Sequence, residues 1–205
     1  MSPDAADTQR PRLAASNGQG AFVLVVGPSG AGKDTLIAGA RRVLAQDACF
    51  VFLRRAITRP SDRWEDHISM SPDEFEEAGL LGRFAFTWDA HGLSYGVPVE
   101  AFDLVRCGRI VVCNGSRGSV STALSLFAQL KVVHVTAPRE VRLARLEMRG
   151  READLRERLD RAPDLGVDSI ADLEIENTGS AQAGTDALVG YLRELGQALR
   201  FTPHL

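Results

Sequence analysis

The sequence FVLVV-GPSGAGK-DT occupies residues 22–35 and decides the fold. Residues 22–26 form a continuous apolar run, which predicts a strand buried on both faces of a parallel sheet. Residues 27–33 fit the G-x-x-x-x-G-K pattern of a phosphate-binding loop, and a helix is predicted to follow through about Gln46. A strand, a glycine-rich loop and a helix in this order predict an α/β fold of the P-loop NTPase type.

Each part of this loop has a chemical role in binding a nucleotide. Glycines let successive backbone N–H groups approach a phosphate, and the helix that begins there turns its partial positive charge toward the anion. Lys33 is predicted to be catalytic, because its ammonium group offsets the charge that spreads over a transferring γ-phosphoryl group. ATP is the predicted phosphoryl donor. The predicted nucleotide-binding residues of the loop are Gly27, Pro28, Ser29, Gly30, Ala31, Gly32, Lys33, Asp34 and Thr35.

One loop position departs from the usual pattern. The residue after the lysine is usually Ser or Thr and binds Mg²⁺, but here it is Asp34. The later apolar run 110–113 also ends in Asn114, where an Asp usually helps to hold the metal. We therefore expect Asp34 to bind Mg²⁺, directly or through a metal-bound water, since magnesium prefers carboxylate and water oxygens. The alternative is that Asp34 only favours the helix N-terminus, an effect worth up to about 1 kcal/mol.

Apolar runs and helical periodicity alternate along the rest of the chain. This alternation predicts right-handed crossovers and a parallel sheet flanked by helices. Further strands are predicted at 50–53, 110–113, 131–136 and 173–176, and further helices at 120–128, 138–148, 151–162 and 183–199. In the helix at 138–148, Val141, Ala144 and Met148 recur at helical spacing and are predicted to face the core.

The chain is interpreted as one kinase domain, residues 21–205, behind a disordered leader, residues 1–20. The domain core comprises residues 21–54 and 109–205. Residues 55–108 differ from it in their mixed charge and their dense aromatic and histidine content, which indicates an inserted substrate-binding region.

Composition and charge give no support for nucleic-acid binding, membrane association or a membrane-spanning segment. The net charge of −3 gives no indication of nucleic acid or an anionic membrane as a partner. No apolar run approaches the roughly 20 residues that a membrane span needs. Three cysteines without paired metal-binding spacing favour a reducing cytoplasm. A small-molecule substrate is expected, and the oligomeric state stays open.

Four segments in order extend the interpretation beyond the loop. GPSGAGK, ITRP at 57–60, HGLSYGVP at 91–98 and RLARLEMRGRE at 142–152 together resemble the guanylate-kinase branch of the nucleoside-monophosphate kinases. That branch reads guanine with a glutamate and a serine, and the corresponding positions here are Phe86 and Val97. Neither side chain can pair with a guanine edge, so a base would leave its polar groups unpaired. The acceptor is therefore expected to be a phosphorylated sugar without a base.

A narrower resemblance rests on GPSGAGKD, ITR, EDHI at 65–68, WDAHGLSYGV at 88–97 and VCNGSR at 112–117. In this combination the chain is similar to the ribose 1,5-bisphosphate phosphokinases of bacterial phosphonate degradation. The Asp after the loop lysine is part of that resemblance. It implies that the γ-phosphoryl group of ATP is transferred to ribose 1,5-bisphosphate with Mg²⁺, giving 5-phosphoribosyl 1-diphosphate.

The resemblance also suggests which residues bind the acceptor. Arg59 corresponds to the first arginine of a T-R-x-P-R segment that binds an acceptor phosphate. At the position of the second arginine the chain has Asp62, and Arg63 follows one residue later. Arg117 is a candidate for the acceptor's second phosphate, with a salt bridge as the alternative. His67 and His91 are candidates for contact with the sugar hydroxyls, and the alternative for each is a structural role. The predicted acceptor-binding residues are Thr58, Arg59, His67, His91, Tyr95, Asn114 and Arg117.

The arginine-rich segment at about 145–158 resembles the mobile lid of the related kinases. Arg145, Arg149 and Arg158 occupy the places of arginines that close over ATP and the transferring phosphoryl group, and their alternative is a solvated helix face with ion pairs. Asn177 is predicted to begin an adenine-side loop.

Two other functions stay open at this point. One is a nucleoside-monophosphate kinase with an altered base preference. The other is a catalytically inactive binding module of the guanylate-kinase fold, a fate that usually degrades the phosphate loop.

Overall fold

The computed structural model describes residues 20–60, 66–148 and 169–200. Within these ranges it contains two sheets and six α-helices. The strands are β1 (Ala21–Val26), β2 (Phe50–Leu53), β3 (Ala56–Ile57), β4 (Ile68–Ser69), β5 (Phe84–Ala90), β6 (Leu93–Pro98), β7 (Ile110–Asn114), β8 (Leu130–Thr136) and β9 (Leu173–Glu176). The helices are α1 (Lys33–Val43), α2 (Pro72–Leu80), α3 (Glu100–Arg106), α4 (Val120–Leu126), α5 (Arg139–Glu147) and α6 (Ala181–Arg200).

The main sheet is parallel and has the strand order β2-β7-β1-β8-β9. Its central strand, β1, is buried along its whole length, as its unbroken apolar run predicted. The loop after β1 therefore leaves the sheet at its middle, between the ends of β7 and β8. Ligands of open α/β sheets bind at this carboxyl edge. The predicted α/β fold with a parallel sheet flanked by helices is confirmed.

Two apolar clusters cover the two faces of the main sheet. On one face, Leu36 and Ala40 of α1 and Leu188 and Leu192 of α6 pack against Val23 and other strand residues. The other face packs against α3, α4 and part of the second sheet. Helices on both faces exclude water from the strands and leave their carboxyl edge open.

The second sheet lies within the predicted inserted region and has the order β4-β3-β6-β5. Its largest part is the antiparallel β5–β6 hairpin, whose tight turn is His91–Gly92, both with positive φ (54° and 69°). Phe86 of β5 pairs with Val97 of β6, and both side chains are buried in the cluster under the main sheet. The two positions that would read a guanine therefore belong to the apolar core.

Replacing Phe86 by Ala is expected to lower the free energy of unfolding by about 3–5 kcal/mol, because a large buried ring is removed and a cavity remains. Phe86 contacts the rings of Phe22 and Phe127 edge-on. Urea unfolding followed by circular dichroism measures the change. Leu80→Ala is the control, since Leu80 is 84% exposed and its loss is expected to cost less than about 0.5 kcal/mol. Equal urea midpoints for the two variants would contradict a core role for Phe86.

Several sequence predictions need correction. Gly20, assigned to the leader, is buried, and a side chain there would overlap backbone oxygens of Val105 and Arg109. Helix α1 ends at Val43 rather than near Gln46. The predicted core face of α5 is wrong, because Ala144 and Met148 are exposed while Leu146 is buried. The rest of the leader and the helix predicted at 151–162 lie outside the described residues.

The helix α3 lies within the predicted insertion but packs on the main sheet. Ala101 is buried in the same cluster as Phe22 and Val111, and Phe102 and Val105 pack against that cluster. The division of the chain into a core and an insertion stays an interpretation.

Candidate functional site

The phosphate loop has a backbone that only glycine suits at three positions. Gly27, Gly30 and Gly32 have φ of 144°, 80° and 97°. A Cβ at Gly27 would overlap the carbonyl oxygen of Val135, and one at Gly30 would lie 2.8 Å from the carbonyl oxygen of Arg142. The neighbouring elements β8 and α5 therefore approach the loop too closely for a side chain. This geometry exposes backbone N–H groups for an anion at the start of α1.

Lys33 is the first residue of α1 and reaches back across the loop. Its Nζ donates to the carbonyl oxygens of Gly27 (2.8 Å) and Pro28 (3.1 Å). These contacts hold the ammonium group over the loop. Thr35, two residues on, is exposed.

Asn177 and Arg145 hold the outer side of the loop. Asn177 follows β9 and its Nδ2 donates to the carbonyl oxygen of Ala31 (2.8 Å). Arg145 donates to the carbonyl oxygens of Asn177 (3.0 Å) and Ala31 (3.3 Å). The structure thus brings these two predicted residues together with the loop. Arg145 therefore faces the loop, while Leu146 is the buried apolar residue of α5.

Asp34 and Asn114, the two irregular positions, are in direct contact. The Nδ2 of Asn114 donates to Oδ1 of Asp34 at 2.6 Å. Asn114 ends β7 and is buried, and its Oδ1 has no hydrogen-bond partner among the described residues. A carboxylate and an unpartnered amide oxygen are both oxygen ligands of the kind that Mg²⁺ prefers. No group of three or more His, Cys, Asp or Glu side chains in the described ranges could hold a metal, but magnesium in kinases takes most of its ligands from phosphates and water.

The predicted acceptor-binding residues lie on the second sheet and near the end of β7. Thr58 follows β3, and its Oγ1 accepts from the backbone N–H of Ser94 (2.9 Å). The ring of buried His67 is hydrogen-bonded through Nε2 to the carbonyl oxygen of Arg59 (3.2 Å), so His67 fixes the backbone that carries Arg59. His91 is exposed in the hairpin turn and has a positive φ of 54°, and its role stays a prediction.

Arginines also gather beside the loop on the α5 side. Arg142 is half-buried, and its Nε has no hydrogen-bond partner among the described residues. Burial lowers the pKa of Arg142, and the nearby positive charges of Arg117 and Arg139 lower it further. Arg117 begins a short 3₁₀ turn after β7. An accumulation of positive charge at the carboxyl edge of the sheet favours anion binding there.

Comparisons with known proteins identify relatives of this chain. The chain is 46% identical over 178 residues to the ribose 1,5-bisphosphate phosphokinase PhnN of Bradyrhizobium diazoefficiens, covering 86% of this chain and 89% of that protein. It is 46% identical over 176 residues to the protein of the same name from Methylobacterium radiotolerans, covering 85% and 98%. The chain belongs to the ribose 1,5-bisphosphate phosphokinase family. No protein-family model matches it.

A solved structure agrees with this family's fold. The guanylate kinase of Anaplasma phagocytophilum superposes with a TM-score of 0.60 over 85% of each chain, at 15% identity. That likeness shows the guanylate-kinase-like fold alone. Among the helices of the described ranges, none is long and apolar enough to cross a membrane.

In this member of the ribose 1,5-bisphosphate phosphokinase family, Arg55 and Arg142 lie beside the site although their sequence pattern did not predict it. Arg55 directly precedes β3 and lies over the ring of Tyr95, 5.2 Å from its centroid. The only available signal was its position four residues before Arg59, which places both side chains on the same side of an extended chain. Arg149 and Arg158 lie outside the described residues, so their predicted contacts with ATP stay predictions.

Proposed function

We propose that this kinase transfers the γ-phosphoryl group of ATP to ribose 1,5-bisphosphate, forming 5-phosphoribosyl 1-diphosphate and ADP. An oxygen of the acceptor's 1-phosphate attacks the γ-phosphorus. The bond from that phosphorus to the β–γ bridging oxygen breaks, and ADP leaves with the electron pair. A phosphate oxygen is already anionic near neutral pH, so no general base is needed.

The observation that carries this proposal is the contrast between the two halves of the site. The phosphate loop keeps its glycine geometry and Lys33, whereas Phe86 and Val97 are buried in the apolar core. A nucleotide acceptor would leave the polar edge of its base unpaired there, at a cost of about 1–3 kcal/mol for each group. A binding module would have no need of the intact loop.

Each residue has a proposed role in the transfer. The loop backbone and Lys33 bind the β- and γ-phosphates, and Asn177 and Arg145 hold the loop in shape. Asp34 and Asn114 would hold Mg²⁺, which when bound offsets the negative charge of the transferring phosphoryl group. The proposed acceptor-binding residues are Thr58, Arg59, His67, His91, Tyr95, Asn114 and Arg117.

The proposed setting is the cytoplasm, in phosphonate degradation and the synthesis of 5-phosphoribosyl 1-diphosphate. Support comes from the names of the relatives and from the three cysteines, all of which are free thiols. Cys113 is fully buried, and burial raises its pKa to about 12.

Steady-state release of ADP tests the acceptor. Ribose 1,5-bisphosphate, GMP and ribose 5-phosphate are compared at saturating ATP and Mg²⁺. We expect kcat/KM to be at least 10²-fold higher for ribose 1,5-bisphosphate than for either of the other two. Ribose 5-phosphate has no 1-phosphate, and GMP carries a base for which the described part of the protein has no matching site. A higher kcat/KM for GMP would identify a nucleoside-monophosphate kinase instead.

A further inference from the structure

We propose that Arg55 binds the acceptor's 1-phosphate and holds its attacking oxygen beside the phosphate loop. This inference rests on the proposed function, and it assigns the reacting phosphate to a cation supplied by the second sheet.

Arg55 is held from both sides in the cleft between the two sheets. Its guanidinium lies over the ring of Tyr95, 5.2 Å from the centroid, and its Nη1 donates to the carbonyl oxygen of Asn114 at 3.4 Å. Arg55 is half-buried, so its charge is partly removed from water. Such a cation is costly unless an anion compensates it.

An aromatic stack gives Arg55 a fixed support. The rings of Trp88 and Tyr95 are stacked with centroids 5.2 Å apart and planes 7° apart, and Phe86 packs on Trp88 from the core side. The series Phe86, Trp88, Tyr95, Arg55 therefore leads from the apolar core to the cleft. A guanidinium that stacks on a ring through its face still presents its N–H groups to a ligand. Within the described ranges, one of the five N–H donors of Arg55 makes a hydrogen bond, the 3.4 Å contact with Asn114.

Asn114 links Arg55 to the reaction centre. The backbone oxygen of Asn114 accepts from Arg55, and the side chain of the same residue donates to Asp34 at 2.6 Å. Asp34 is the second residue of α1, next to Lys33. Arg55 and the first turn of α1 therefore contact the same residue, Asn114, through its backbone and its side chain.

The position of Arg55 favours the acceptor over ATP. The loop and Lys33 are the proposed binding groups for the donor phosphates, whereas Arg55 directly precedes β3 of the second sheet. Thr58 and Arg59 directly follow β3, and Ile57 of β3 pairs with Tyr95 of β6. An arginine here matches a phosphate dianion by a bidentate contact, which an ammonium group cannot reproduce.

Arg55→Gln and Arg55→Lys test the inference, with Arg54→Gln as the matched control. Arg54 is adjacent but exposed, and it pairs with Asp66 at the surface. Arg55→Gln is expected to raise KM for ribose 1,5-bisphosphate by about 10- to 100-fold, with an unchanged KM for ATP, because a charge-assisted contact to the acceptor is lost. Arg55→Lys should recover part of the loss, and Arg54→Gln should match the wild type. An equal rise in both KM values would overturn the inference, since it would indicate a structural role.

Calorimetry separates this inference from the proposed function. Ribose 1,5-bisphosphate is titrated into each full-length variant saturated with a non-hydrolysable ATP analogue and Mg²⁺. The wild type is expected to bind about 10- to 100-fold more tightly than Arg55→Gln. If the two bind alike, Arg55 is not a binding residue, whatever the turnover. If binding depends on Arg55 but the wild type transfers no phosphoryl group, the inference stands and the proposed function fails.

Discussion

Replacing Lys33 by Met is expected to lower kcat by about 10³-fold, because the positive charge that stabilises the transferring phosphoryl group is lost. The hydrogen bonds from Lys33 to Gly27 and Pro28 place the ammonium group over the loop. Single-turnover rates of ADP formation at saturating ATP measure the effect on the chemical step.

The chain offers a matched control for this change. Its one other lysine is Lys131, which pairs with Asp172 at the surface (2.9 Å). Such pairs contribute about 0–1 kcal/mol, so Lys131→Met is expected to keep the wild-type kcat. A Lys33→Met enzyme with a kcat within a factor of a few of the control would contradict the role of the loop in phosphoryl transfer.

Asp34→Asn is expected to raise the Mg²⁺ concentration needed for half-maximal activity by about 10- to 100-fold. The physical reason is that the substitution removes the carboxylate that faces Asn114 at 2.6 Å. Asp34→Ser, which restores the residue type usual at this place, is expected to recover little activity, since Asn114 supplies no compensating carboxylate. Rates measured across a magnesium titration give the comparison.

Asp73→Asn is the control for the alternative role of Asp34. Asp73 is an exposed acidic residue in the first turn of α2 and has no place in the proposed site. If Asp34 only favours a helix N-terminus, both substitutions should cost up to about 1 kcal/mol of stability and leave the magnesium titration unchanged. That result would remove Asp34 from the metal site.

The main sheet and the phosphate loop were predictable because the residue types within one short segment determine each of them. A strand buried on both faces has to be continuously apolar, and a loop that cradles phosphate has to contain glycine where β8 and α5 approach it. The second sheet was not predictable at the level of elements. Two of its strands, β3 and β4, have only two residues each, too few for alternation to be visible.

The error on α5 has a different physical cause. Apolar periodicity predicts the buried face of a helix that packs on an apolar surface. Helix α5 packs partly on the phosphate loop, where the carbonyl oxygen of Ala31 accepts from Arg145, so Arg145 is turned inward while Met148 is exposed. A similar reason explains why the position of Arg55 was not predicted. Nothing in the sequence distinguishes Arg55, which stacks on Tyr95, from its exposed neighbour Arg54.

The central claim is that the acceptor is ribose 1,5-bisphosphate, and phosphorus-31 NMR of the reaction products tests it most directly. The enzyme is incubated with ATP, Mg²⁺ and ribose 1,5-bisphosphate, and in parallel with ATP, Mg²⁺ and GMP. We expect the first mixture to lose the 1-phosphate resonance, to gain the two diphosphate resonances of a sugar 1-diphosphate and to keep the 5-phosphate resonance, while GMP is unchanged. Formation of GDP with no change in the ribose 1,5-bisphosphate spectrum would contradict it.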